Sequence, residues 1–352
     1  MKEEYTPYKI VHHKDRLEVL KEGGQPIPLQ VHIVPSNSCN QRCSFCAYRM
    51  KGYLSNETFN PKESLSWDKI SSLLDDFKEM GVKAVQYTGG GEPLVHPNIK
   101  DSFCKTFDNG LELALVSNGY ALNDGLCDIL GDATWVRISV DAYSKKLYSF
   151  IRNVHEGSMD IVINNIKNLI SRKRTVTLGV GFVVEKENYM EVYESAKFFK
   201  ELGVDNFRIS AAFTTMGYSY FKDFEEVATD LCAKAAELST DSFQVFNLFD
   251  SRLKDNFLSV QDYSFCPIKD LQVFVGADFN VYTCCTLAYN KKGLIGSVAN
   301  QSFKELWESP AKIKMYEGHN PKQHCTFPCM YRGKNEFINY CIKKDPKHVN
   351  FI

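Results

Sequence analysis

Between residues 30 and 212 the chain alternates short apolar runs with longer segments whose apolar positions recur at helical spacing. VHIVP (31–35), AVQYT (84–88), ELALVS (112–117), WVRISV (135–140), TLGVGFVV (177–184) and FRIS (207–210) read as strands. Between the first two, Trp67, Ile70, Leu73, Leu74, Phe77 and Met80 fall on one helical face, with Ser66 placed to cap the start and Gly81 to stop the end. Further helices are expected over 159–171 and 188–202, the latter closed by Gly203. Strands alternating with helices predict an α/β fold with a parallel sheet, and six such units suit a partial (β/α)6 TIM-like barrel. Parallel α/β folds hold their ligands at the carboxyl ends of the strands. The loops after the first and second strands are therefore expected on one rim.

Beyond 212 the pattern changes. Residues 214–262 read as a connecting region with one helix over 223–238 followed by polar, irregular sequence. From 264 come short strands (271–275 and 280–284), cysteines and two short helical pieces around 302–317. This predicts a small C-terminal cysteine-rich domain whose thin apolar content calls for a metal. The expected division is an N-terminal extension (1–29), the barrel (30–213), the connecting region (214–262) and the cysteine-rich domain (263–352).

Composition narrows the function classes. A formal net charge of −1 gives no global basic field to recruit nucleic acid or an anionic membrane. No apolar run is long enough to span a membrane, and the charged N-terminus lacks a signal peptide's apolar stretch, so the expected location is cytoplasmic. In that compartment twelve cysteines point to metal or redox chemistry rather than disulfides. Cys104, Cys127 and Cys232 lie in predicted helices and are expected to be buried small hydrophobes. His12, His13 and His96 are expected to be solvated.

Cys39, Cys43 and Cys46 carry the sharpest signal. Three thiolates this close can hold one [4Fe–4S] cube and leave one iron without a protein ligand, a place to bind and activate a small molecule. A zinc knuckle completed by a ligand such as His32 is the structural alternative. The loop TGGGEP (88–93) follows the second strand.

CxxxCxxC after a first strand, with Phe45 before the third cysteine and a GGGEP loop after the second strand, resembles the radical S-adenosylmethionine (SAM) superfamily. The resemblance implies that Cys39, Cys43 and Cys46 bind a [4Fe–4S] cluster whose fourth iron takes the amino and carboxylate groups of SAM. One electron then splits SAM to a 5′-deoxyadenosyl radical that abstracts hydrogen from a substrate carbon. It further implies that Phe45 shields the cluster, that Gly89, Gly90 and Gly91 approach the methionine moiety, and that Glu92 accepts from its ammonium group. Ser117 and Asn118 (third strand), Ser139 and Asp141 (fourth strand), GVGFVV (179–184) and Ile209–Ser210 stand where the family contacts SAM.

Cys266 and Cys284 bracket a predicted hairpin, and Cys325 and Cys329 sit in HCTFPC. Four such thiolates can close a tetrahedral zinc or a cubane site. The segment resembles the twitch or SPASM extension of radical SAM enzymes. That implies one auxiliary [4Fe–4S] cluster held by Cys266, Cys284, Cys325 and Cys329, with Cys285 and Cys341 left as candidate hydrogen donors or relays. The resemblance implies a peptide or protein substrate (oxidation, cross-linking or epimerisation), with a sugar or aminocyclitol as alternative, and a reductase such as flavodoxin or ferredoxin as electron donor. Only 38 residues precede Cys39, so a leader-binding domain is not expected there. A non-catalytic metal-binding protein is the reading from another class, and tRNA modification would need a basic surface.

Overall fold

The computed structural model describes residues 5–257, 260–325 and 327–347. Its strands are β1 (Gln30–Ile33), β2 (Ala84–Tyr87), β3 (Glu112–Ser117), β4 (Trp135–Ser139), β5 (Thr177–Val184), β6 (Asn206–Ala211), β7 (Gln244–Asn247), β8 (Gln272–Val275), β9 (Asn280–Tyr282) and β10 (Leu294–Ser297). They form one sheet in the order β10-β9-β8-β1-β2-β3-β4-β5-β6-β7. From β1 to β7 every neighbouring pair is parallel, as the strand–helix alternation predicts.

Two features depart from the sequence expectation. The connecting region supplies a seventh parallel strand, β7, and a helix at Phe249–Phe257, where the sequence reads as irregular. Four residues beside Asn and Asp carry too little periodicity to announce a strand; it forms because the edge of β6 offers unpaired backbone groups. In addition, the cysteine-rich hairpin does not stand apart. β8 pairs in parallel with β1, so the barrel sheet runs on into the antiparallel β8–β9–β10 ribbon.

Helix Trp67–Met80 begins at Ser66, whose side chain accepts from the Lys69 N–H, and ends at Gly81 in the left-handed conformation (φ 85°). Helices Ser158–Ser171 and Val192–Leu202 match the expected positions, the second closed by Gly203. Alternation along the strands decides which face each residue serves. Val31, Ile33, Val85, Tyr87, Leu113, Leu115, Val136, Ile138, Leu178, Val180, Phe207 and Ile209 are buried with the helices in one core. The opposite parity points to the inner face, which carries Gln30, His32, Gln86, Arg137, Ser139, Gly179, Gly181, Asn206, Arg208 and Ser210, with Val116, Trp135, Val183, Phe246 and Phe274 as its larger apolar members. A largely polar inner face against an apolar outer one leaves a lumen that can receive a ligand.

Cys127 and Cys232 are fully buried, whereas Cys104 is exposed on the helix Ile99–Asp108. His96 is buried rather than solvated: its Nε2 lies 2.9 Å from the Leu65 carbonyl and its Nδ1 accepts from the Asn98 N–H. Among the described residues, no helix is long and apolar enough to cross a membrane.

Candidate functional site

The loop leaving β1 carries Cys39, Cys43 and Cys46, each half-buried. Its backbone is fixed to the end of helix Lys145–Arg152: Arg42 N–H donates to the Arg152 carbonyl at 3.0 Å and Ser44 N–H to the Ile151 carbonyl at 2.9 Å. Donors are aimed at the sulfurs. Gln41 N–H lies 3.4 Å from Cys39 Sγ, Arg152 Nη1 3.5 Å from Cys43 Sγ, and Asn118 Nδ2 4.0 Å from Cys39 Sγ. Burial raises all three thiols, that of Cys39 to about 11, and for Cys43 the Arg152 guanidinium opposes the rise. Thiols in this setting ionise only against a bound cation, and a metal supplies it. Donors directed at sulfur and a guanidinium beside the loop fit an iron–sulfur cluster.

The glycine loop meets this one directly. A Cβ on Gly90 would strike Phe59, and one on Gly91 would run into the carbonyl oxygens of Ser36 and Ser38. Glu92 N–H donates to the Ser38 carbonyl at 2.9 Å. The glycines are therefore required first for the two loops to touch. Gly89, at φ 154°, would press a Cβ onto Val34.

Glu92 does not offer an open carboxylate for an ammonium group, as the sequence suggests. It is buried, with Oε1 accepting from Ser117 Oγ (2.7 Å) and Leu94 N–H (3.0 Å) and Oε2 from Asn118 N–H (2.7 Å). Burial raises its pKa and those bonds oppose it. Its role is to lock the corner that presents Asn118, whose Nδ2 donates to Asn40 Oδ1 at 2.7 Å.

Asp141 likewise faces inward, against the expectation of a free ligand contact. It is buried in an unusual positive-φ conformation, paired with Arg152 through one oxygen and accepting from Val183 N–H through the other (2.6 Å). Arg152 lies 5.8 Å from the Phe45 ring centre, so Asp141, Arg152, Phe45 and Cys43 form one connected unit. Ser139 stands half-buried at the end of β4, and Gly179, Gly181 and Val183 of the fifth-strand segment face inward while Val180 and Phe182 join the outer core.

A second constellation lies past β8. Cys266, Cys284, Cys325 and Cys329 line one small cavity together with Tyr263, His319, Pro321 and Tyr331. The Tyr263 hydroxyl is 3.7 Å from Cys329 Sγ, and His319 Nε2 is 3.9 Å from Cys325 Sγ. Burial pushes the thiols of Cys266 and Cys325 up to about 12. Among the described residues no three His, Cys, Asp or Glu side chains converge on a point that would hold a single metal ion. Four thiols lining one cavity can hold a cubane cluster.

Cys285 is not among the cavity's lining residues. Its Sγ lies 3.3 Å from the Tyr331 hydroxyl, which Gln272 also engages at 2.7 Å. Cys341 is elsewhere, in an outer groove with Lys14, Leu17, Glu18 and Lys21. It is no relay between these sites.

The two cysteine sites are joined by a zipper. Ser55 Oγ donates to the Thr286 carbonyl (2.9 Å), Thr58 N–H to the Tyr289 carbonyl (2.9 Å), and Tyr289 OH to Asn37 Oδ1 (2.5 Å). Sequence reasoning missed Gln41, Arg152, Glu185, Tyr263 and Tyr331. Gln41 stands at a variable position inside the CxxxCxxC motif and Arg152 lies far from it in sequence, neither with a signature of its own, and the fold brings both to sulfur.

The radical SAM superfamily model matches residues 33–199, and that of an iron–sulfur cluster-binding domain, SPASM, matches 266–330. The chain is a radical SAM family enzyme with a C-terminal SPASM domain, which implies a SAM-binding [4Fe–4S] cluster and an auxiliary cluster. It is 28% identical over 189 residues to the tungsten-containing aldehyde ferredoxin oxidoreductase cofactor-modifying protein of Pyrococcus furiosus, covering 51% of this chain and 50% of that one. It is 30% identical over 187 residues to GTP 3′,8-cyclase of Aquifex aeolicus, covering 50% and 55%. The chain thus spans about half the length of the curated relatives it matches. Among solved structures, Streptococcus suis SuiB bound to precursor peptide SuiA superposes with a TM-score of 0.64 at 16% identity, over 98% of this chain and 80% of that one. anSMEcpe with bound AdoMet gives 0.61 at 17% identity, over 82% and 83%. These likenesses establish the fold.

Proposed function

We propose that this protein abstracts hydrogen from a C–H bond of a peptide or protein substrate, using Cys39, Cys43 and Cys46 to hold the SAM-binding cluster and Cys266, Cys284, Cys325 and Cys329 to hold one auxiliary cluster. When bound, the first cluster and SAM supply a 5′-deoxyadenosyl radical. The chain's own residues do the rest. Gln41, Asn118 and Arg152 direct donors at the ligand sulfurs, and Glu92 holds the Ser117–Asn118 corner at the rim. Phe45, Gly89, Gly90, Gly91, Ser117, Asn118 and Ser139 line the SAM side of that rim, with Asp141 acting through Arg152. The zipper between 54–59 and 286–290 holds the auxiliary site in register with it. A flavodoxin- or ferredoxin-like protein supplies the electron.

The observation that carries the peptide assignment is coverage. The superposition on peptide-bound SuiB extends over 98% of the chain and so includes both cysteine sites. The test has two stages. Anaerobically reconstituted protein should hold about eight irons per chain, falling to about four when Cys39, Cys43 and Cys46 are all replaced by Ala, with loss of 5′-deoxyadenosine release under dithionite. The holoenzyme is then given deuterated cell extract split into peptide and small-molecule fractions. Deuterium entering 5′-deoxyadenosine from the peptide fraction supports the assignment; transfer from the small-molecule fraction alone replaces it with a sugar or nucleotide substrate.

A further inference from the structure

The inner face of the sheet carries positive charge that the protein itself does not neutralise. Arg137 on β4 and Arg208 on β6 share the inward parity and flank β5, where the register places Gly179 beside Arg137 and Gly181 beside Arg208. With no side chains on those two β5 residues, the Arg137 side chain lies over Gly181, 3.3 Å from where a Cβ would stand, and is brought toward Arg208, while Asn206 covers Gly179. Lys334, on the helix Arg332–Cys341, is reached by solvent and lies close enough to Arg208 and to His32 for its charge to act on both.

Among the described residues none of Arg137, Arg208 and Lys334 has an ion-pair partner. Asp141, whose charge acts on Arg137, is already paired with Arg152. Arg208 is half-buried over the Tyr5 ring, 5.5 Å from its centre, and its Nε is buried without an acceptor. A cation stripped of water with an unsatisfied donor is costly unless something fills the site.

His32 gives an independent indication. It is 6% exposed, and its Nε2 lies 3.2 Å from Gln30 Nε2, while the same Gln30 amide donates to Gln86 Oε1 at 3.1 Å. Since the amide nitrogen is a donor, Nε2 must accept and the ring proton sits on Nδ1. That Nδ1 is buried without a partner. Two strand arginines, a lysine and an imidazole N–H therefore lie within electrostatic reach of one another on one lumen, and among the described residues Arg208 Nε and His32 Nδ1 are buried there without an acceptor.

We propose that this lumen is an oxyanion subsite that takes a carboxylate or phosphate group of the substrate between Arg137 and Arg208, with Lys334 and the His32 N–H completing it. Its role in turnover rests on the function proposed above; its existence does not. Tyr331, whose hydroxyl touches Cys285, lies within electrostatic reach of Arg208, so a group anchored there sits toward the auxiliary site. An anionic anchor of this kind fixes orientation through charge-assisted hydrogen bonds and leaves the reacting carbon to the rim.

The experiment is calorimetric titration of the reconstituted holoenzyme at low salt with two probes, inorganic pyrophosphate and glutarate. One probe is expected to bind with one site per chain and to distinguish the phosphate source from the carboxylate source. Arg208→Gln and Lys334→Gln are each expected to weaken that binding about tenfold or more, roughly 1.4 kcal/mol. Lys334 is solvent-exposed, so its variant keeps the test sound should Arg208→Gln fold poorly. Lys62→Gln, on the outer surface, should leave binding unchanged. Absence of binding by both probes, or equal binding by wild type and both lumen variants, would overturn the subsite. Binding that is lost in the variants of a protein that fails to cleave SAM would keep the subsite and remove the proposed function.

Discussion

Arg152 holds Cys43 and Asp141 at once: Nη1 of its guanidinium lies 3.5 Å from the Cys43 sulfur, and Nη2 is paired with the buried Asp141 carboxylate. The pair is dehydrated, and Asp141 is 1% exposed. Removing one partner of such a pair leaves an uncompensated charge, which costs about 3–5 kcal/mol. Arg152→Met is therefore expected to lower the denaturant midpoint markedly and to reduce iron retention at the first site. Arg152→Met combined with Asp141→Asn should recover a large part of the stability, because no charge is left stranded. Equal midpoints for the single and double variants would show that the ion pair carries no coupling.

Gly91→Ala tests whether the glycine loop is held by contact with the cysteine loop. A Cβ there meets two backbone carbonyl oxygens, which cannot rotate aside as a side chain would. Overpacking of this kind costs about 1–3 kcal/mol. The expected outcome is weaker SAM binding by equilibrium dialysis, with iron at the auxiliary site unchanged. Gly110→Ala, where a Cβ meets nothing within 4 Å, introduces only the strain of its φ of 70° and should leave SAM binding intact. Similar SAM affinities in both variants would mean the two loops need not touch.

The difference between what the sequence discloses and what it conceals follows from range. The CxxxCxxC spacing, the glycine loop and the Ser66 and Gly81 helix boundaries are local, and each is read from a few adjacent residues. Strand parity is equally local, so the apolar outer face of the barrel is legible in the alternation of Val31, Ile33, Val85 and Tyr87. Pairing partners are not local. Nothing near Arg152 announces that it lies against Cys43, and nothing near Gln272 announces that β8 adds to β1 rather than founding its own sheet. For Glu92 and Asp141 the position beside the cysteine loop is legible, but the partners of their carboxylates are not. A motif fixes a carboxylate's position, whereas the donors that satisfy it come from Ser117, Asn118, Arg152 and Val183.

Cys285 and Cys341 are separated by their surroundings. Cys285 sits between Met330 and the Tyr331 hydroxyl, beside the auxiliary cavity. Cys341 lies in an outer groove with Lys14 and Lys21. Cys285→Ala is expected to leave the iron content and the uncoupled release of 5′-deoxyadenosine near wild type while lowering product formation about tenfold or more. Cys341→Ala should change neither by more than about twofold. Loss of about four irons in Cys285→Ala would instead make it a ligand of the auxiliary cluster.

Glu185 gives the protein a pH dependence of its own. It is buried at the end of β5, with its carboxylate oxygens 2.9 and 3.2 Å from the Ser44 hydroxyl. Burial raises its pKa to about 7, and the bond from Ser44 opposes that rise. A carboxyl whose pKa is higher in the folded state holds its proton more tightly there than in the unfolded chain. Its contribution to stability is therefore full below about pH 4.5 and is lost as pH rises through about 7. Glu185→Gln cannot titrate and should remove this slope. The expected difference between wild type and variant across pH 5 to 8 is on the order of 2 kcal/mol, after allowance for screening by solvent. Urea midpoints of the reconstituted protein at pH 5, 6, 7 and 8 measure it. Parallel pH profiles for the two proteins would show that Glu185 is already ionised at pH 5 in the folded state, stabilised by the Ser44 hydroxyl beside the cysteine loop.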